Sequence, residues 1–505
     1  MGKGYDFYAR LGLPIDATLE EIRSAYRELA RRFHPDINEA PGETEFFLGV
    51  QEAYEVLADP RRRSVYDSNI PPELQALPEL SIKSQYSRSI IPRIQEPQLI
   101  YVLLDLEARV EAQYTSFPPI NICLIVDCST SMQGTVMDTV KSTAIELVRQ
   151  MREQDILSVV SFSDKAEVVV PAINVIDRNH IETSIRMLQT QGGTEIYQGL
   201  EAGFLEVLRY RRSDYVNHIV LLTDGRTYGD EAGCLRIAEQ ANDNRIGISA
   251  LGIGNKWNDV FLDTLASRTG GSSMFISMPR DIRPFLKQKF SGLIKSYADR
   301  VSYNFETGPG VALKYAIRLQ PEASPLELSS PIQLGSIQCG GSLSVLLEFE
   351  IQPLAPGLEQ LGLTEGLLTL EIPSRQVPTF TTRLKTEISI GELPEQERIP
   401  LKVLQAVSRL TLYRMQERAQ EDIASGNIQQ ASRRLQHLAT HLISRGEQEL
   451  ARTVMKEATN INENQDLSEE GKKRIKYGTR ALLLPAPLRS SSSENGFQTP
   501  EGDGI

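Results

Sequence analysis

The sequence is poor in the residues that build covalent or zinc-bound frameworks. Only Cys123, Cys128, Cys234 and Cys339 supply thiols in a chain of 505 residues, and no two form a CxxC pair. That excludes a zinc ribbon and a disulfide-stapled scaffold. Cys123 lies in an apolar run and reads as a small buried hydrophobe. Thiols used this way suit a reducing compartment. Positive charge is also short: 54 Lys and Arg against 66 Asp and Glu leave a net charge of −12. This balance excludes nucleic acid as the main partner, because phosphate binding needs concentrated cations. The N-terminus has no apolar signal core, and no stretch reaches the length of a membrane span. The expected location is cytoplasmic.

What is present reads as a multidomain chain. Residues 1–68 form a small all-α unit, 69–80 a linker marked by Ser, Pro and Gln, and 81–117 strand-like segments. Over 118–298 the apolar runs INICLIV, ILSVVSF, HIVLLT, ISALGI and MFIS alternate with amphipathic helical stretches. Buried strands alternating with helices imply an α/β, doubly wound (Rossmann-like) parallel sheet. Residues 299–394 carry half-alternating extended patterns between Pro and Gly turns and read as β-sandwich-like. Strands of 81–117 are expected to pair with them across the inserted α/β unit. Residues 395–484 read as helical, with Leu435, Leu438, Leu442 and Ile443 at helical spacing and Gly426 and Gly446 as punctuation. Residues 485–505, rich in Ser, Pro, Gly and acid, read as a disordered tail.

The first constellation sits near the N-terminus. Thr18-Leu-Glu-Glu21 is a capping box that starts a helix. Leu19, Ile22, Tyr26, Leu29 and Phe33 fall on one face and predict a core stripe, while Arg23, Arg27 and Arg31 recur four apart on another. A basic stripe alone is usually a solvated face. This one ends at His34-Pro35-Asp36, where Pro35 stops the helix and holds His34 and Asp36 at a hairpin tip. A second helix over 43–57 returns Phe47, Val50, Ala53, Tyr54 and Leu57 to the first, and Asp59-Pro60 stops it.

The runs YDFYARLGLPIDATLEEIRSAYRELARRFHPDIN and QEAYEVLADPRRRSVYD resemble the J domain of the DnaJ co-chaperone family. The resemblance implies docking on a DnaK-type chaperone and stimulation of its ATPase. It implies that His34, Pro35 and Asp36 trigger hydrolysis and that Arg23, Arg27 and Arg31 steer toward an acidic chaperone surface. Ile37 stands where many members have Lys, and neither a Gly/Phe-rich segment nor zinc-binding cysteine repeats follow. General binding of unfolded clients is therefore not expected.

The second constellation follows an apolar strand. Asp127, Ser129 and Ser131 stand on one tight turn, and ligands bind at the carboxyl ends of strands in open α/β sheets. One carboxylate and two hydroxyls make a hard-oxygen corner suited to Mg²⁺, with Mn²⁺ or Ca²⁺ as alternatives. Thr194 in QGGTEIYQGL and Asp224 in LLTDGRTYGD stand at two further strand ends. This set resembles the metal-ion-dependent adhesion site of the von Willebrand A family, and all five positions of that pattern are filled. The resemblance implies a divalent metal held by Asp127, Ser129, Ser131, Thr194 and Asp224, with one coordination position left for a partner's Asp or Glu. Asp164, Asp230 and Asp259, on other strand-end loops, read as solvated acids. The basic run Lys472-Lys473-Arg474, with Lys476 and Arg480, reads as a solvated patch before a contact with the body of the protein. His437 and His441, four apart, lack an evident third ligand and read as a structural or exposed pair.

Together the two resemblances imply a non-enzymatic co-chaperone adaptor that captures an unidentified protein partner and brings a DnaK-type ATPase to it. An assembly scaffold working with an AAA-type ATPase or a phospho-reader is the alternative. A metal-dependent hydrolase is disfavoured, since no general base or nucleophile pair stands beside the acids.

Overall fold

Thr18 opens the main N-terminal helix, Leu19–Phe33, by the reciprocal bonds of a capping box. The Thr18 N–H donates to Glu21 Oε2 over 2.6 Å, and the Glu21 N–H donates to Thr18 Oγ1 over 3.3 Å. The molecule is described by a computed structural model covering residues 6–33, 43–71, 80–108, 117–226, 229–354, 356–393 and 399–484. A second helix, Glu43–Leu57, packs on the first, with Ile22, Ala53 and Leu57 fully buried and the Tyr26 and Tyr54 rings stacked at 4.1 Å. Asp59 does more than end this helix. Its carboxylate accepts from the Arg61 and Arg62 N–H groups and starts a further helix, Pro60–Asn69, with proline in the first turn.

The α/β unit is a six-stranded sheet. Its spatial order is Ala166–Asn174, Ile156–Phe162, Ile120–Asp127, Val216–Thr223, Gly247–Ile253 and Ser273–Ile276. All neighbours are parallel except the edge strand Ala166–Asn174. The two central strands are buried at every residue, as a sheet covered by helices on both faces requires. The direction in which successive strands are added reverses between Ile120–Asp127 and Val216–Thr223, which opens a crevice at their carboxyl ends.

Two five-stranded sheets form the β region, and their inward residues share one core. The strands before the α/β unit belong to it. Gln98–Ala108 pairs antiparallel with Ser342–Ile351 over ten residue pairs, from Gln98 opposite Ile351 to Glu107 opposite Ser342. Ile90–Ile91 pairs with the end of Thr379–Ile390. The first strand after the α/β unit, Ser296–Thr307, begins inside the span expected to end at 298. Arg300 and Arg318 join this sandwich to the α/β unit. Arg300 donates to the carbonyls of Asn242, Ile246 and Thr269, and Arg318 to those of Gly270 and Gly271. Bound at several fixed acceptors, these buried guanidiniums satisfy orphan carbonyls of the α/β turns.

Among the described residues four helices follow, Leu401–Ala424, Ile428–Ser444, Gln448–Asn464 and Glu469–Ala481. The first lays Val403, Leu410 and Tyr413 on the sandwich residues Leu103, Ile317 and Leu346. Among the described residues no helix is long and apolar enough to cross a membrane.

Candidate metal centre

The hairpin tip His34-Pro35-Asp36 lies outside the described residues, as do the tail and 72–79 of the linker. The basic stripe that leads to the tip is described, and Arg23, Arg27 and Arg31 are all exposed. On the helix start, Glu21 faces the sandwich. Arg383 donates from both terminal nitrogens to its carboxylate, over 2.8 and 3.0 Å, and lies 3.4 Å from Asp16. The Arg383 guanidinium holds the Glu21 carboxyl down at about 2, against burial and together with the bonds from Thr18.

The second set of residues meets at the crevice of the sheet. Asp127 ends the strand Ile120–Asp127 and is fully buried. The Ser129 N–H donates to its Oδ1 over 2.8 Å, and Thr223 Oγ1 donates to its Oδ2 over 2.7 Å. The turn Thr130–Met132 carries Ser131, whose hydroxyl lies 3.1 Å from Ser129 Oγ and donates to Asp224 Oδ1 over 2.6 Å. Asp224 directly follows the strand Val216–Thr223. Thr194 arrives from the loop between the helices Arg178–Arg186 and Ile196–Arg209. That loop is tied to the strand ends: the Gln191 N–H donates to the Cys128 carbonyl over 2.7 Å, and the Gly193 N–H to Asp164 Oδ1 over 2.8 Å.

Two glycines permit this closeness. Gly192 has φ +72° and lies against the Asp164 carboxylate. A Cβ on Gly225 would sit 2.7 Å from Thr194 Oγ1, so Thr194 stands directly over the Asp224–Gly225 backbone. The five side chains named from the sequence therefore occupy one corner. Cys128 is buried in the core beneath it.

Burial pushes the carboxyls of both Asp127 and Asp224 up from the usual range. Hydrogen bonds from Ser129 and Thr223 oppose the shift at Asp127, and each acid feels the other or a neighbouring donor. Among the described residues neither acid has a cation within 4 Å. No trio of His, Cys, Asp and Glu is grouped for a metal there either, so the corner is a donor set of two carboxylates and hydroxyls.

Asp164 is exposed, as expected of a solvated loop acid, and accepts from the Gly193 N–H. Three expectations are corrected. Asp230 is half-buried and accepts from the Tyr197 N–H. Asp259 is buried and paired with Lys476 at 2.5 Å. The basic run is solvated only in part: Arg474 is exposed and Lys472 half-buried, but Lys473, Lys476 and Arg480 are buried on the α/β unit, 1%, 8% and 3% exposed. The signal for this packing was present in the sequence. Lys473, Lys476 and Arg480 recur at three- and four-residue spacing on one helical face, and Asp259 and Asp263 are four apart on another helix. His437 and His441 are exposed.

Comparisons with known proteins match three stretches of the chain. Residues 6–67 match the family model "DnaJ domain", 121–285 match "von Willebrand factor type A domain", and 401–485 match "Sll0103-like, C-terminal alpha-helical domain". "Uncharacterized protein sll0103" of Synechocystis sp. is 28% identical over 377 residues, which cover 73% of this chain and 89% of that protein. "Chaperone protein DnaJ 2" of Thermus thermophilus is 52% identical over 63 residues, 12% of this chain and 22% of that protein, so the chain spans under a quarter of that relative. The solved structure "von Willebrand factor type A from Catenulispora acidiphila" superposes with a TM-score of 0.64 at 15% identity, covering 80% of this chain and 96% of that one. That likeness concerns the fold.

Proposed function

From a chain in which an N-terminal DnaJ domain is fused to a von Willebrand A domain, we propose a co-chaperone adaptor acting in the cytoplasm. The J domain stimulates the ATPase of a DnaK-type chaperone, and the von Willebrand A domain captures a protein partner at a metal-dependent site. The observation that carries the second half is the meeting of Asp127, Ser129, Ser131, Thr194 and Asp224 at the sheet crevice.

The residues fit a hard divalent cation. Their donors are carboxylate and hydroxyl oxygens with no soft ligand among them, which suits Mg²⁺ over zinc or copper. Asp127, Ser129, Ser131, Thr194 and Asp224 would hold the ion. When bound, it would supply an open position for a carboxylate oxygen of the partner. The chain's own groups do the remaining work. Ser129 and Thr223 orient the Asp127 carboxylate by their bonds to its two oxygens. Ser131 orients Asp224 in the same way. Asp164 anchors the Gly193 loop that brings Thr194 in. This is an interaction role rather than a catalytic one.

In the J domain, the exposed Arg23, Arg27 and Arg31 supply the attraction toward an acidic chaperone surface, and His34, Pro35 and Asp36 supply the trigger. The four free thiols agree with a reducing compartment.

Two measurements test the two halves. The wild-type chain should raise the ATPase rate of a purified DnaK-type chaperone, and His34→Gln should not. Equal stimulation by both defeats the J-domain half. Calorimetric titration with Mg²⁺ should show binding to the wild type and none to Asp127→Ala. Equal heats defeat the metal half.

A further inference from the structure

We propose that the last helix, Glu469–Ala481, is a latch on the candidate metal corner, so that cation binding and docking of this helix stabilise one another. The proposal rests on the metal reading above and adds a regulatory element to it.

The helix is bound to the von Willebrand A domain by buried charge. Lys476 Nζ lies 2.5 Å from Asp259 Oδ2 and 2.8 Å from Asp263 Oδ2, and Arg480 Nη2 lies 2.6 Å from Asp263 Oδ2. Lys473, almost fully buried, donates to the Asn255 carbonyl over 2.8 Å and stands 5.2 Å from the centre of the Trp257 ring. A buried ammonium without these acceptors is costly, so the helix has one register on this surface.

Its N-terminal end reaches the loop that follows Asp224. Arg226, two residues beyond Asp224, donates from Nη2 to Glu469 Oε2 over 2.9 Å and from Nε to the Lys256 carbonyl over 3.1 Å. Asn255 and Lys256 belong to the loop after the strand Gly247–Ile253, and Arg226 to the loop after Val216–Thr223. The helix thus ties together the two strand-end loops on one side of the site. Arg226 and Glu469 are each about half exposed, 53% and 54%, and such a pair alone contributes little. The buried lysines and Arg480 hold the helix, and the exposed pair relates its position to the Asp224 loop. Arg480 also bonds Tyr413 Oη over 3.3 Å, which extends the connection to the helix Leu401–Ala424.

If the docked helix keeps Asp224 beside Ser131, linkage requires that a cation at the corner favour the docked helix in return. Hydrogen–deuterium exchange on the full chain, with and without Mg²⁺, tests this. Mg²⁺ should slow exchange both at 127–133 and across 469–481. Slowing at 127–133 with an unchanged helix overturns the latch and leaves the metal reading standing. No change at either place overturns the metal reading itself, and the latch with it. In a second arm, Lys473→Met should weaken Mg²⁺ binding roughly five-fold or more by calorimetry. Unchanged affinity overturns the latch. Should this variant not fold, the exchange experiment on the wild type decides.

Discussion

Ser131 Oγ donates to Asp224 Oδ1 over 2.6 Å although 93 residues separate them in the chain. The bond crosses the crevice where the strand order reverses, and it sets a hydroxyl from one strand-end turn against an acid from another. Burial disfavours the charge of this acid, and the bond from Ser131 and the charge of Lys256 only partly offset it.

A divalent cation should therefore stabilise the fold. At Mg²⁺ concentrations about 100 times Kd, binding to the native state alone adds about 2.7 kcal/mol. The wild type should show a rise in Tm with Mg²⁺, and Asp224→Asn should show none. A Tm independent of Mg²⁺ in the wild type contradicts the prediction.

Gly225→Ala probes the packing of the corner without touching a donor atom. Its Cβ would approach to 2.7 Å from Thr194 Oγ1, and Thr194 must move. Mg²⁺ affinity should fall at least several-fold, as expected when a neighbour of a metal ligand is disturbed by about tenfold effects. Affinity equal to wild type would show that Thr194 is dispensable.

Asp263→Ala should destabilise strongly. It leaves Lys476 with Asp259 alone and, among the described residues, Arg480 buried without a paired acid. Breaking a buried pair by removing one partner costs about 3–5 kcal/mol. Chemical denaturation measures the loss, and a change below about 1 kcal/mol would match an exposed pair instead.

Docking of the J domain on the sandwich should weaken in acid. Arg383 holds Glu21 down at about 2, below the ordinary glutamate value of about 4.3. A depressed carboxyl contributes stability that is present above its unfolded value and is lost as pH falls through the folded one. The contact should thus be complete above about pH 4.3 and fade toward pH 2. Titration of Glu21 by NMR checks this. In Arg383→Ala the Glu21 midpoint should move back up, and an unmoved midpoint would remove Arg383 as the cause.

Much of the J domain was legible because its signals are local. Thr18 and Glu21 satisfy each other's N–H groups within one turn, so the helix start can be read without knowing what lies opposite. The turn carrying Asp127, Ser129 and Ser131 was legible for the same reason. The apolar runs named five of the six strands of the α/β unit, since strands covered on both faces are apolar throughout, but not the half-exposed edge strand Ala166–Asn174, which pairs antiparallel where a parallel sheet is expected. The role of Asp59 was only half legible. Asp-Pro stops one helix, but the same carboxylate caps the next.

The helix Glu469–Ala481 departs from the sequence expectation for a physical reason. A run such as Lys472-Lys473-Arg474 looks solvated because isolated cations are costly to bury. Burial becomes acceptable only when acids stand opposite, and Asp259 and Asp263 lie over 200 residues away in the chain. By itself the sequence determined which donors exist, hydroxyls and acids at the ends of apolar runs and a capped basic helix. Only the tertiary structure decided which of them share a corner, because the strand order brings Asp224 to Ser131, and a fold-wide match of buried charges brings Arg480 to Asp263.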